Sequence, residues 1–185
     1  MDGISVSKGG TYLFSLAQRS NGKAQTLKIR LTDRTGKILA AGNLITRPGG
    51  WQKQEIRLTA MATGSGAQLE IIPALPGTLH LDMVSLFPEK TFRNRRNGLR
   101  KDLAETVAAI RPRFIRFPGG CLAHGDGLQN IYRWKNTIGL LEERVPQRNI
   151  WGYHQSMGLG YFEYFQFCED IGAEPLPVVA AGVPC

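Results

Sequence analysis

Cysteine, histidine and long apolar runs are scarce in this sequence, and each shortage closes off a class of protein. Only three cysteines occur in 185 residues, at positions 121, 168 and 185. An odd number without paired spacing implies neither a disulfide framework nor a zinc-ligand set. A chain of this length can bury a sizeable core without either. Cys168 lies in an apolar run and reads as core. No apolar run approaches the roughly 20 residues that a membrane-crossing helix needs. The start, Met1-Asp2-Gly3-Ile4, lacks the basic and apolar regions of an export leader. It fits a cytoplasmic protein, or a chain that begins inside a longer one, and leaves the compartment open.

The net charge of +8 invites a nucleic-acid reading. The charge is spread out, however: residues 1–90 carry 11 basic and 6 acidic groups, and residues 91–185 carry 12 and 9. One dense cluster exists, Arg93, Arg95, Arg96, Arg100 and Lys101, with Phe92 beside it. No nucleic-acid-binding motif accompanies it, so a solvated basic loop is the better reading. Neither a nucleic acid nor a membrane is expected as a partner.

What the sequence holds in quantity is β pattern, over residues 11–88. Leu27, Ile29 and Leu31 alternate with Lys28, Arg30 and Thr32, the period of a half-buried strand. Asp33-Arg34-Thr35-Gly36 is a turn, and residues 38–45 return from it. Strands are also expected over 11–16, 51–58, 67–72 and 78–87, the last with Leu79, Leu81, Met83 and Ser85 on one face. Short strands at such spacing predict an antiparallel sandwich or jelly roll. Trp51 reads first as a core or sheet-edge residue and second as a stacking platform for a sugar.

The period changes near residue 90. A helix is expected over 98–110, capped by Asn97, with Leu99, Leu103, Val107 and Ile110 on one face. Arg111-Pro112 ends it. A buried strand over 113–117 follows, carrying Phe114, Ile115 and Phe117. Pro118 then stops the strand ladder, because proline has no N–H to donate. Gly119 and Gly120 free the backbone to turn sharply or to approach a ligand. Spacing alone leaves those two readings level. A loop from Gly119 to about Gln155 is too long for a mere connection. It is also too rich in aromatics for disorder, with Tyr132, Trp134, Trp151 and Tyr153. A second helix is expected over 158–171, closed by Gly172. A second buried strand is expected over 176–180. Helix, strand, loop, helix and strand in that order predict a parallel sheet with crossover helices. Two parallel strands cannot bury both of their own faces, so the unit is expected to be part of a larger (β/α) barrel.

The residues then carry a resemblance. Leu81-Asp82-Met83-Val84-Ser85-Leu86-Phe87-Pro88, Asn97-Gly98-Leu99-Arg100-Lys101-Asp102-Leu103 and Arg116-Phe117-Pro118-Gly119-Gly120-Cys121 occur in order. Arg133-Trp134-Lys135-Asn136-Thr137-Ile138-Gly139, Glu143-Arg144, Gly158-Leu159-Gly160-Tyr161-Phe162-Glu163-Tyr164 and Gly172-Ala173-Glu174-Pro175 follow. From Leu81 to Cys185 the chain resembles glycoside hydrolase family 51, the α-L-arabinofuranosidases. The first 88 residues resemble, more weakly, the sugar-binding-like jelly roll that some members insert after the first barrel strand. The resemblance implies a β-sandwich over 1–88 and an incomplete (β/α)8 barrel over 89–185.

It also implies a retaining, exo-acting hydrolase that removes arabinofuranosyl groups from polysaccharides or oligosaccharides, needs no cofactor or metal, and forms oligomers at full length. By the match, Gly119, Gly120 and Cys121 form the floor of the arabinose subsite and Trp134 walls it. Cys185 stands at the end of the next barrel strand, near the same pocket. His124 stands where many members have Glu.

Retaining hydrolysis needs two carboxyl groups about 5–5.5 Å apart. Glu142 and Glu143 read as solvated, and Glu163, Glu169 and Asp170 lie on a helix. Glu174 lies at the wrong end of its strand. Asp126 is the best-placed acid, yet the family gives it no role. The family's acid/base and nucleophile are expected beyond Cys185, and its first barrel strand before Met1. No catalytic residue is therefore expected within the chain. Cys121, His124 and Asp126 are at most half of a zinc site, without a second ligand pair. Gly158-Leu159-Gly160 lacks the feeding strand and third glycine of a dinucleotide fingerprint. His80 reads as exposed structure, and His154 reads equally as a residue that reaches the pocket rim or as a satisfied loop histidine. A non-catalytic carbohydrate-binding protein is the alternative to the enzyme.

Overall fold

The structure, a computed structural model, describes residues 3–185. Its chain divides into two compact units, with the boundary between Lys101 and Asp102.

The first unit is a sandwich of two antiparallel sheets. Its strands are β1 (Ile4–Val6), β2 (Thr11–Ser20), β3 (Thr26–Thr32), β4 (Ile38–Ile45), β5 (Gly49–Thr59), β6 (Gly64–Pro73) and β7 (His80–Pro88). One sheet runs β1-β6-β3-β4 and the other β5-β2-β7. The alternation along β3 does what a period of two requires: Leu27, Ile29 and Leu31 are wholly buried. They pack with Phe14 and Leu16 of β2, Leu58 of β5 and Leu39 and Leu44 of β4 in one core. The hairpin between β3 and β4 closes on Asp33, whose Oδ1 accepts from the Thr35 and Lys37 amides at 2.9 and 3.0 Å.

Along β7 the expected single apolar face breaks. Ser15 pairs with Ser85, but Ala17 pairs with Asp82, so β7 carries one extra residue against β2. That bulge, with Met83 at φ 50°, shifts the alternation. Leu79 and Leu86 reach the core, whereas Leu81 and Met83 stay exposed. Trp51 lies on β5, an edge strand, and is half exposed, with the Arg19 guanidinium 5.3 Å from its ring centroid.

The second unit contains α1 (Lys101–Ala109), β8 (Phe114–Phe117), α2 (Gly120–His124), β9 (Gln147–Arg148), β10 (His154–Gln155), α3 (Tyr161–Ile171) and β11 (Glu174–Pro177). Strands β8 and β11 pair in parallel, Phe114 opposite Glu174 and Phe117 opposite Pro177. The intervening α3 ends at Gly172, which takes the left-handed conformation, φ 70° and ψ 32°.

Several expectations need correction here. The first helix starts at Lys101 and not at Gly98. Asn97 does not cap it but sits in a turn at φ 51°, within a loop closed by the Phe92 amide on the Leu99 carbonyl. The second strand begins at Glu174, two residues before the expected start, because that is where its register with β8 begins. Neither strand is buried as expected: Phe114 and Leu176 are exposed and only Phe117 of β8 is buried. Leu103 and Val107 of α1, and Ile110 just past its end, are exposed as well. Two parallel strands and their helices have too few neighbours to cover these faces. The region 119–155 is no bare loop either, since it holds α2, two 3-10 turns and the β9–β10 pair.

The core of this unit is Phe117, Tyr132, Met157, Tyr161 and Cys168, with Ile115, Leu122 and Tyr164 packed against it. Cys168 therefore has the structural role its apolar surroundings predict, and burial pushes its thiol above the usual value.

Candidate functional site

The site grows from the C-terminal end of β8. The Phe117–Pro118 peptide bond is cis. Gly119 follows at φ 122°, a conformation that a side chain would strain, and α2 starts at once with Gly120. The sharp turn puts Cys121 in the first turn of α2 with an exposed thiol. Its Sγ lies 3.0 Å from Sγ of Cys185. The segment 183–185 is pinned against α2 by two further bonds. The Cys185 amide donates to the Gly125 carbonyl at 2.7 Å, and His124 Nδ1 donates to the Val183 carbonyl at 2.7 Å.

Beneath this turn lies an aromatic stack. Phe117 stacks on Tyr164 at 4.4 Å and meets Tyr161 and Phe165 edge-on at 5.5 Å. Trp134 stacks over Tyr161 at 6.0 Å with an interplanar angle of 11°. Tyr161 Oη in turn donates to the Val178 carbonyl at 2.6 Å, just past the end of β11. The two strand ends and Trp134 thus belong to one cluster, linked through Tyr161. Trp134 remains 39% exposed, which leaves ring surface for a ligand. Gly119, Gly120 and Cys121 occupy the end of β8 where the sequence places them, and Cys185 stands beside Cys121.

The segment that carries Trp134 is held by groups that periodicity does not reveal. Arg144 is nearly buried and grips the Glu163 carboxylate with both terminal nitrogens, at 2.8 and 2.9 Å. It also donates to the carbonyls of Gly139 and Met157 at 3.1 and 2.8 Å. Thr137 Oγ1 accepts from the Tyr161 amide at 3.1 Å and donates to the Trp134 carbonyl at 2.8 Å. Gly160 packs so close that a Cβ there would lie 2.0 Å from the Thr137 carbonyl oxygen. Sequence reading singled out the Glu143-Arg144 and Gly158-Leu159-Gly160 words. It missed that Arg144 and Gly160 lock the segment to α3. Burial pushes the Tyr132 phenol up to about 12, partly offset by the Thr137 hydroxyl beside it.

A pocket of about 480 Å³ opens among Asp126, Gln129, Asn130, Gln147, Arg148 and Ile150. Asp126 is its single acidic group. The Asp126 amide donates to Asn130 Oδ1 at 2.9 Å, and Gln129 Nε2 donates to Asp126 Oδ1 at 3.3 Å. One carboxylate is half of the pair that retaining hydrolysis needs, so these lining residues by themselves offer polar contacts. Glu163 is committed to Arg144, and Glu174 opens β11 at the end remote from Gly119. His124 and Cys121 turn to Val183 and Cys185, and no three candidate metal donors gather among the described residues. His154 pairs through β10 with Arg148 of β9.

A family model described as the alpha-L-arabinofuranosidase 1 domain matches residues 106–185. An extracellular exo-alpha-L-arabinofuranosidase of Streptomyces chartreusis is 47% identical, over 97% of this chain and 22% of its own length. Alpha-L-arabinofuranosidase 1 of Arabidopsis thaliana is 39% identical, over 98% of this chain and 27% of its own. A solved structure of an arabinose-bound family 51 α-L-arabinofuranosidase superposes with a TM-score of 0.92 at 34% identity. It covers 99% of this chain and 31% of that one. The chain thus spans about a quarter of the length of these curated relatives, 22% and 27%. Likeness in sequence and in fold to the α-L-arabinofuranosidases of glycoside hydrolase family 51 runs through both units.

Proposed function

We propose that the polypeptide carrying this chain is a retaining, exo-acting α-L-arabinofuranosidase that releases terminal arabinofuranosyl groups from arabinose-containing polysaccharides or oligosaccharides. The observation that carries the reading is the likeness to an arabinose-bound family 51 enzyme across 99% of the chain. In this reading the first unit is an accessory, carbohydrate-binding-like sandwich. The second unit is the early part of a (β/α)8 barrel, with β8 and β11 as two of its parallel strands. The exposed faces of α1, β8 and β11 are then surfaces for further barrel elements. Gly119, Gly120 and Cys121 line the arabinose subsite at the C-terminal ends of the strands, where barrel enzymes bind substrate. Trp134 walls it.

The chain's own residues bind and orient the sugar. Gly119 lets backbone approach the furanose ring, Cys121 offers its amide or thiol to a hydroxyl, and Trp134 gives an apolar wall that excludes water from one side. The acid/base and nucleophile are carboxylates outside residues 1–185. The chain alone therefore binds at most and does not turn over.

Release of 4-nitrophenol from 4-nitrophenyl α-L-arabinofuranoside tests this. The 185-residue chain is compared with the product of the longest reading frame that contains it. Activity confined to the longer product is expected. Normal turnover by the chain alone overturns the assignment of the carboxylates. Activity in neither favours a non-catalytic carbohydrate-binding protein, which titration with arabino-oligosaccharides then checks.

A further inference from the structure

We propose that Cys121 and Cys185 form a dithiol site that a low-molecular-weight disulfide oxidises reversibly to an intramolecular cross-link, which closes the sugar subsite. The inference rests on the reading that Cys121 lines that subsite. Three observations support the cross-link. The two sulfurs lie 3.0 Å apart, although 64 residues separate them in the chain. Forming the bond therefore takes an approach of about 1 Å, given a disulfide length near 2.05 Å. The backbones on both sides are tied together by the Cys185 amide on Gly125 and by His124 on Val183, each at 2.7 Å. That tie holds the sulfurs close without a covalent bond. Both thiols are exposed, so an oxidant reaches them, whereas Cys168 is 1% exposed and out of reach.

The chemistry balances with glutathione disulfide as oxidant. One cysteine, as its thiolate, attacks a glutathione sulfur, forms a mixed disulfide and releases one glutathione thiolate. The second cysteine then loses its proton, attacks the protein sulfur of the mixed disulfide and expels the second glutathione. Two protein thiols are oxidised and one glutathione disulfide is reduced to two thiols. The new bond draws Cys121 Sγ toward Cys185 and removes its S–H as a donor to a sugar hydroxyl. The cross-link also fixes the segment that carries Cys185 across the start of α2.

Glutathione disulfide is added to the reduced 185-residue chain and, separately, to the longer product. The free thiols are trapped and the digest is mapped by mass spectrometry. A Cys121–Cys185 cross-linked peptide is expected, with Cys168 trapped only after denaturation. Cys185→Ser should instead keep one glutathione on Cys121. Separate glutathione adducts on Cys121 and Cys185 of the native sequence, without a cross-link, overturn the proposal. In the longer product the cross-link should abolish arabinofuranoside hydrolysis, and dithiothreitol should restore it. A cross-linked product with full activity overturns the control of the subsite. An inactive reduced product refutes the enzyme reading instead, and the mass map still decides the thiol pair.

Discussion

Arg144 and Glu163 meet side by side, two guanidinium nitrogens on two carboxylate oxygens at 2.8 and 2.9 Å, with only 4% of the arginine side chain exposed. The pair joins the segment that carries Trp134 to the first turn of α3. Glu163 Oε2 also accepts from the Gly160 amide at 2.8 Å, so one carboxylate caps the helix and anchors the arginine. Arg144→Ala leaves that carboxylate partly buried without its partner. It should destabilise the second unit by about 3–5 kcal/mol, the usual cost of breaking a buried pair. Denaturant unfolding followed by tryptophan fluorescence measures this. An unchanged midpoint would mean that the pair is only a surface contact.

Gly160→Ala tests close packing. The new Cβ meets a backbone oxygen, the Thr137 carbonyl, at 2.0 Å, and backbone cannot swing aside as a flexible side chain does. The expected result is a loss of at least about 1–3 kcal/mol, as for overpacking elsewhere. Gly158→Ala, where the nearest atom is the end of the Ser156 side chain at 3.4 Å, should be tolerated. Thermal melts of the two variants give the contrast.

The Tyr132 phenol yields a pH prediction. Its folded value, about 12, lies above the unfolded value near 10. The native state therefore holds this proton more tightly than the unfolded chain. That stabilisation is complete below pH ~10 and is lost as pH rises toward ~12. Burial raises Tyr161 and Tyr164 too, and both add to the same alkaline fall. Tyr132→Phe should flatten part of it in urea titrations from neutral pH upward. At neutral pH, where the phenol is protonated in both states, this titration contributes no slope to stability.

Phe117→Ala removes the ring at the centre of the aromatic stack, against Tyr161, Tyr164 and Phe165. A cost of about 3–5 kcal/mol is expected for a fully buried phenylalanine. Unfolding curves should report it in the second unit. A smaller loss would show that the neighbouring rings close over the space.

Trp134→Ala bears on the proposed sugar subsite. In the longer product KM for 4-nitrophenyl α-L-arabinofuranoside should rise on the order of tenfold, the size of one aromatic contact. Steady-state kinetics decide it. An unchanged KM with lowered stability would leave Trp134 a packing residue over Tyr161.

Much of this protein is legible in its residues. The alternation of Leu27, Ile29 and Leu31 predicts β3 and its buried face, because a strand's side chains must point to opposite sides of the sheet. Gly172 marks the end of α3, because a left-handed cap favours a residue without Cβ. Pro118-Gly119-Gly120 marks the sharp exit from β8, and the words around it carry the resemblance to family 51. Local patterns of this kind act over a few residues, so they survive in the sequence.

Tertiary structure decided the rest. The bulge at Met83 puts Leu86, opposite Phe14, on the core face in place of Ser85, and it depends on the pairing of β7 with β2, not on either strand alone. The exposure of Phe114, Leu103 and Ile110 depends on which neighbours a parallel pair has, a quantity that no window of sequence contains. Arg144 finds Glu163 across 19 residues, and Cys121 finds Cys185 across 64. Such contacts are set by the turn at Gly119 and the register of β8 with β11, so no local residue pattern encodes them.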